Sequence, residues 1–252
     1  MHGSSCLVFS ERRPPARLRL FCLAHAGGSA AFYRTWSSRL PARVEVCALE
    51  LPGRGRRWSE ALPRDLQQLV VELQRDMAPE LDRPYAIFGH SVGALIAFEL
   101  ARCLRRSGQP LPVALFASGR QAPQLKARVP RVSELPEGAF IDAMKRYGSS
   151  SSEVLDHPEL RELFVPILRA DIALNERYEY YSEEPLAFPL HILWGSSDET
   201  VQNADAAAWS KMTSGPSCAS SFAGDHFFPR SAESEVVAFV SSVLQGSPGW
   251  EP

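Results

Sequence analysis

The sequence carries no excess of charge of one sign: 27 Lys and Arg against 29 Asp and Glu leave a formal net charge of -2, with a pI near 6.3. No global field draws such a chain to nucleic acid or to a membrane surface, so a charged partner must be met by a local patch. Long hydrophobic runs are also missing. None approaches the ~18 residues of a membrane span. Leu18 to Ala26 is too short and too interrupted, by Arg19 and His25, for a signal peptide, and reads as a first core strand. Cysteine is sparse. Cys6, Cys22, Cys47, Cys103 and Cys218 are odd in number, scattered and without C-x-x-C spacing, which argues against a disulfide framework and suggests no metal site. They read as small core residues in a reducing compartment, so the expected location is the cytoplasm. No internal repeat is visible, and the only low-complexity tract, Ser149 to Ser152, reads as a loop.

What is present is an ordinary globular composition, 45% hydrophobic over 252 residues, which favours one large α/β domain spanning residues 1–252. The chain is organised around Gly89-His90-Ser91-Val92-Gly93, a match to G-x-S-x-G. The apolar run Tyr85 to Phe88 before it reads as a buried strand, and Ala94 to Arg106 after it as a helix. A serine forced into a sharp strand-to-helix turn needs small residues two before and two after it, and Gly89 and Gly93 supply them. The turn exposes the Ser91 hydroxyl and sets the N–H of Val92 at a helix N-terminus, where it can hold developing negative charge.

A second strand, turn and helix lies near the N-terminus. Leu18 to Leu23 runs into His25-Ala26-Gly27-Gly28-Ser29, and Ser29 is placed to cap a helix from Ala30 to Leu40. In a hydrolase with a serine elbow this first loop supplies the second oxyanion donor, and the N–H of Ala26 is the expected one. Val44 to Leu49 reads as a strand, followed by Leu51-Pro52-Gly53-Arg54-Gly55-Arg56-Arg57, by composition a solvated basic loop. Asp65 to Leu81 is amphipathic, Val113 to Ala117 is another buried strand, and Leu190 to Trp194, Cys218 to Phe222 and Glu233 to Leu244 resume the alternation. The repeated βα units imply a mostly parallel sheet with helices on both faces. Residues 119 to 185 interrupt them with two helical stripes, one over Pro136 to Tyr147 and one through Leu160, Leu163, Phe164, Ile167, Leu168 and Ile172. This insertion is expected to form a helical lid. The tail from Gly246 to Pro252 is expected to fray.

A serine hydroxyl is a poor nucleophile near neutral pH and needs a histidine to take its proton and an acid to orient that histidine. Of the six histidines, His226 follows the last short strand and precedes the last helix, which places it at the sheet edge that carries the elbow. His25 lies in the first loop, His90 diverges from its neighbour Ser91, His2 is terminal, His157 lies in the insertion and His191 within a strand. The acid of choice is Asp198, directly after strand Leu190 to Trp194, with Glu199 and Asp225 as competitors. No Asp or Glu occurs between Gly119 and Ser133, so the alternative position one strand earlier is empty.

Taken together, His25-Ala26-Gly27-Gly28-Ser29-Ala30, Leu51-Pro52-Gly53-Arg54-Gly55, Gly89-His90-Ser91-Val92-Gly93-Ala94, the Trp194 to Val201 segment and Gly224-Asp225-His226-Phe227-Phe228 resemble the type II thioesterases of polyketide and nonribosomal peptide synthesis. That resemblance implies an alpha/beta-hydrolase fold and hydrolysis of stalled or misloaded acyl groups from the phosphopantetheine arm of an acyl or peptidyl carrier protein. It implies Ser91, Asp198 and His226 as the triad, Val92 and Ala26 as oxyanion donors, and no cofactor. It also gives the Arg54 loop a functional meaning. A monomer is expected, acting on neither nucleic acid nor membrane. A carboxylesterase or lipase, a noncatalytic protein on the same scaffold, and a terminal cyclising thioesterase domain are the alternatives, the last disfavoured by a chain that starts at Met1 with no carrier domain before it. The basic residues Arg120, Lys126, Arg128 and Arg131 are expected to form an edge that steers an acidic carrier.

Overall fold

The computed structural model describes residues 5–127, 130–146, 155–247 and 250, with the side chain of Arg146 left aside. Arg128, Tyr147, Ser149 to Ser152 and His2 lie outside these residues.

Seven strands form one sheet: β1 (Leu7–Phe9), β2 (Leu18–Leu23), β3 (Val44–Leu49), β4 (Tyr85–His90), β5 (Ala114–Ser118), β6 (Leu190–Gly195) and β7 (Ser217–Phe222). Their order is β1-β3-β2-β4-β5-β6-β7, with β1 antiparallel to β3 and every other pair parallel. β2, β3, β4 and β5 are buried at every position, because helices cover both faces of a parallel sheet. Alternation along each strand then splits the core in two. Leu18, Leu20, Cys22, Ala86 and Phe88 pack with Trp36 of α1 (Trp36–Arg39) and with Val236, Val237, Val240 and Leu244 of the last helix, Glu233–Gln245. Phe21, Leu23, Tyr85 and Ile87 face α2 (Leu66–Met77) and α3 (Val92–Arg106). α2 begins at Asp65, whose carboxylate accepts the Gln68 N–H at 2.7 Å. Cys6, Cys22, Cys47 and Cys103 are buried free thiols, and burial raises the pKa of each.

The strand order reverses between β2 and β4. At such a switch point the loops leaving the two strands diverge to opposite faces and open a crevice at the carboxyl ends. That brings the first glycine loop beside the serine elbow, although more than sixty residues separate them.

The segment between β5 and β6 holds α4 (Glu137–Arg146) and α5 (Pro158–Glu176). The apolar stripe of α5 does not bury along its whole length. Leu160 and Leu163 are 47% and 53% exposed, whereas Ile167, Leu168 and Leu174 are buried, because only the C-terminal part of α5 reaches the body of the protein. Three further expectations are corrected. The stretch after Ser29 is a short 3₁₀ turn, Ala30–Tyr33, and then α1; the Ser29 side chain makes no capping bond, and the Glu50 carboxylate accepts the Ala30 N–H at 2.9 Å. The Arg54 loop is solvated only at Gly55 and Arg56, for Arg54 and Arg57 are both buried. Trp250 is docked rather than frayed, its carbonyl accepting from Arg43 at 3.1 Å.

Candidate active site

Each side chain of the site leaves the carboxyl end of a different parallel strand. Ser91 follows β4 with φ 57° and ψ -120°, and it is the one non-glycine residue with positive φ among the described residues. Holding a serine there costs on the order of 1–3 kcal/mol. The turn is tight because the chains must pass each other: a Cβ on Gly93 would lie 2.3 Å from the Leu23 carbonyl oxygen, and one on Gly89 2.2 Å from that of Gly93. Backbone atoms cannot yield as a side-chain end does, so both positions exclude a side chain. The Ser91 N–H donates to the Ser118 carbonyl at the end of β5, at 2.8 Å, locking the elbow to the neighbouring strand.

His226 lies in the turn between β7 and the short helix Phe228–Ser231. Its Nε2 is 3.0 Å from Ser91 Oγ and its Nδ1 is 2.8 Å from Asp198 Oδ2. Asp198, after β6, has a fully buried side chain. Burial alone would raise its pKa, but the hydrogen bond and charge of His226 and two hydrogen bonds from Thr200 outweigh this and hold it below the usual carboxylate range. The two competitors stand elsewhere. Glu199 is exposed, and Asp225 Oδ1 accepts the Phe227 N–H at 2.8 Å, closing a turn instead of meeting the His226 ring.

The N–H groups of Ala26 and Val92 flank the elbow from the β2 loop and the start of α3, and neither has a protein acceptor among the described residues. A hydroxyl on a strained turn, an imidazole in line with it, a carboxylate behind the imidazole and two unengaged backbone donors suit proton transfer and attack on an acyl carbon.

The other histidines divide by environment. His90 is completely buried, with Nδ1 3.0 Å from Ser118 Oγ and its ring 5.1 Å from that of His226. His25 packs edge-on to Phe32 and Phe227 at 4.9 and 5.1 Å. Burial first, and then the charge of His226, push both down, His25 to about 3 and His90 well below its ordinary value, so both stay neutral beside the site. His191 stacks on Phe116 at 5.2 Å, and His157 is exposed just before α5.

Sequence patterns did not single out Thr200, Ser118 or Asp171. Asp171 lies on α5 with no exposed surface and forms a bidentate ion pair with Arg54, at 2.6 and 2.8 Å. A lone acid inside the apolar stripe of α5 is the signal that marks it. The basic segment after β5 is not a single edge: Arg120 is turned inward onto Asn175, and burial pushes its guanidinium down to about 10. Lys126 and Arg131 are exposed.

Residues 18–244 match the family model for the thioesterase domain. Linear gramicidin dehydrogenase LgrE of Brevibacillus parabrevis is 38% identical over 245 residues, covering 96% of this chain and 93% of that protein. ClbQ from the colibactin NRPS/PKS pathway is similar in structure with a TM-score of 0.88 at 32% identity, covering 92% of this chain and 98% of ClbQ. YbtT, a type II thioesterase from the yersiniabactin NRPS/PKS biosynthetic pathway, has a TM-score of 0.86 at 29% identity, covering 98% of this chain and all of that one (100%).

Proposed function

The chain belongs to the thioesterase domain family, and from that premise we propose that it hydrolyses acyl groups from the phosphopantetheine arm of an acyl or peptidyl carrier protein, clearing stalled or misloaded polyketide and nonribosomal peptide intermediates. The observation that carries this reading is the hydrogen-bonded chain Ser91–His226–Asp198 on the strained elbow, at 3.0 and 2.8 Å.

Ser91 Oγ attacks the thioester carbonyl carbon as its proton passes to His226 Nε2, and the carbonyl electron pair moves onto oxygen, which the Ala26 and Val92 N–H groups hold. The tetrahedral intermediate collapses, the C–S bond breaks, and the thiol leaves with the proton returned from His226. A thiolate is a good leaving group, so no second acid is needed. Water then gives a proton to His226 and attacks the acyl-Ser91 ester; a second collapse returns that proton to Ser91 and frees the carboxylic acid. Asp198 keeps Nδ1 protonated and Nε2 free to accept, and stabilises the imidazolium. The segment 119–185 acts as the lid of a single domain.

The test is Ser91→Ala assayed on a panel of acyl-carrier proteins and on soluble esters. Turnover should fall by on the order of 10⁶ with the fold intact, and a fluorophosphonate should label the native protein at Ser91 alone. Undiminished hydrolysis by the alanine variant would reject the mechanism, and a preference for free esters over carrier-bound thioesters would reject the substrate.

A further inference from the structure

The bidentate pair between Arg54 and Asp171 does more than join two segments. Asp171 Oδ2 also accepts the Gly27 N–H at 2.7 Å, and Arg54 Nη1 also donates to the Gly28 carbonyl at 3.1 Å. Two side chains, themselves paired, thus grip two successive residues of the first loop, immediately after Ala26. The far end of the same loop is held by Glu50 through the Ala30 N–H. Gly27 has φ +72°, and a Cβ there would lie 2.8 Å from Phe164 Cζ and 3.3 Å from Leu168 Cδ1, so α5 rests directly on this turn.

Stability alone does not explain the arrangement. Desolvating a buried ion pair largely cancels its attraction, and apolar residues of similar volume would stabilise the fold as well. What an apolar pair cannot do is accept one N–H and donate to the next carbonyl, the two bonds that define the path of residues 27 and 28. The Gly28 N–H in turn donates to the His25 carbonyl at 2.9 Å, and because the His25–Ala26 peptide is planar, holding that carbonyl restricts the direction of the Ala26 N–H.

We propose that Asp171 is a positioning residue that, through Arg54 and the Gly27 N–H, sets the Ala26 N–H for the oxyanion. It rests on the mechanism above and deepens it. Since Asp171 belongs to α5, the second oxyanion donor is in place only when the inserted helix is seated, and covering the site and arming it become one event. The guanidinium is required as such: a lysine in place of Arg54 is a point charge that cannot make the fork to both carboxylate oxygens and reach Gly28 as well.

The experiment uses Asp171→Asn and Arg54→Lys in the full chain, with an acyl N-acetylcysteamine thioester and with a trifluoromethyl ketone whose adduct with Ser91 carries an oxyanion. Concentrations of competent sites are taken from fluorophosphonate titration, and melting temperatures are recorded. A small displacement of a catalytic group can cost about 10²-fold, so kcat should fall by about 10- to 100-fold with KM within about threefold. The inhibition constant of the ketone should rise by the factor by which kcat falls, and Asp171→Glu should recover part of both. A purely structural pair would lower the melting temperature and the number of competent sites while leaving kcat per site and ketone affinity unchanged, which would overturn the inference. Ser91→Ala separates the two levels: if it is inactive while both pair variants are normal per site, the mechanism stands and this inference alone fails.

Discussion

Thr200 and His226 share one carboxylate. The backbone N–H and the hydroxyl of Thr200 both donate to Asp198 Oδ1, at 2.8 and 2.6 Å, and His226 Nδ1 meets Asp198 Oδ2 at 2.8 Å while lying 3.2 Å from Thr200 Oγ1. The single hydroxyl proton of Thr200 is committed to Asp198, so toward His226 its oxygen can only accept. Nδ1–H is therefore the tautomer both partners favour, and it leaves Nε2 free to accept from Ser91.

Thr200→Val removes the hydroxyl and keeps the backbone donor. A hydrogen bond to a charged group is worth about 1.5–3 kcal/mol, of which only the part that changes on reaching the transition state affects the rate. kcat should drop by roughly tenfold with little change in KM. Steady-state kinetics on a small thioester decide it, and an unchanged kcat would reduce Thr200 to a turn residue.

Asp198→Asn should lower kcat by roughly 10² to 10⁴, because the amide favours the wrong imidazole tautomer and cannot stabilise the imidazolium. Asp225→Asn should do much less, its carboxylate being spent on the Phe227 N–H. Parallel kinetics on the two variants check this, and a reversed order would move the acid to Asp225.

Acid stability should be governed by His25 and His90 before Asp198. Both histidines have folded pKa values depressed below the unfolded value of about 6.5, so the unfolded chain binds protons that the folded one refuses. The His25 contribution is present above about pH 6.5 and is lost as pH falls towards about 3, on the order of 2 kcal/mol by pH 5, and His90 acts in the same direction. Asp198, whose folded pKa is lowered, loses its contribution only below about pH 4. Urea midpoints measured from pH 7.5 to 4.5 should decline steadily, and His25→Gln should flatten the decline.

Reversing the two exposed basic residues, Lys126→Glu with Arg131→Glu, should raise KM for an acyl-carrier protein, most at low ionic strength, and leave an N-acetylcysteamine thioester nearly unaffected. Arg120→Glu should instead destabilise the fold, since it would replace the guanidinium that donates to the Asn175 Oδ1 with a carboxylate that cannot donate to it. KM as a function of salt distinguishes docking from damage, and equal loss on both substrates would rule out docking by this segment.

Local chemistry made the elbow legible from sequence. Gly89 and Gly93 flank Ser91 because backbone carbonyls leave no room for a Cβ, and that demand is written into five consecutive residues. The positions of β2, β3, β4 and β5 were equally legible, because burial on both faces of a parallel sheet requires continuous apolar runs. The order of Ser91, Asp198 and His226 along the chain pointed to three separate strand ends, but their distances came only from the register of β4, β5, β6 and β7. Arg54 and Asp171 are 117 residues apart, and no spacing rule relates them. A sequence records how a residue constrains its neighbours along the chain. Which buried charge meets which, and which turn an inserted helix rests on, are settled only when desolvation forces distant polar groups to find one another in the folded chain.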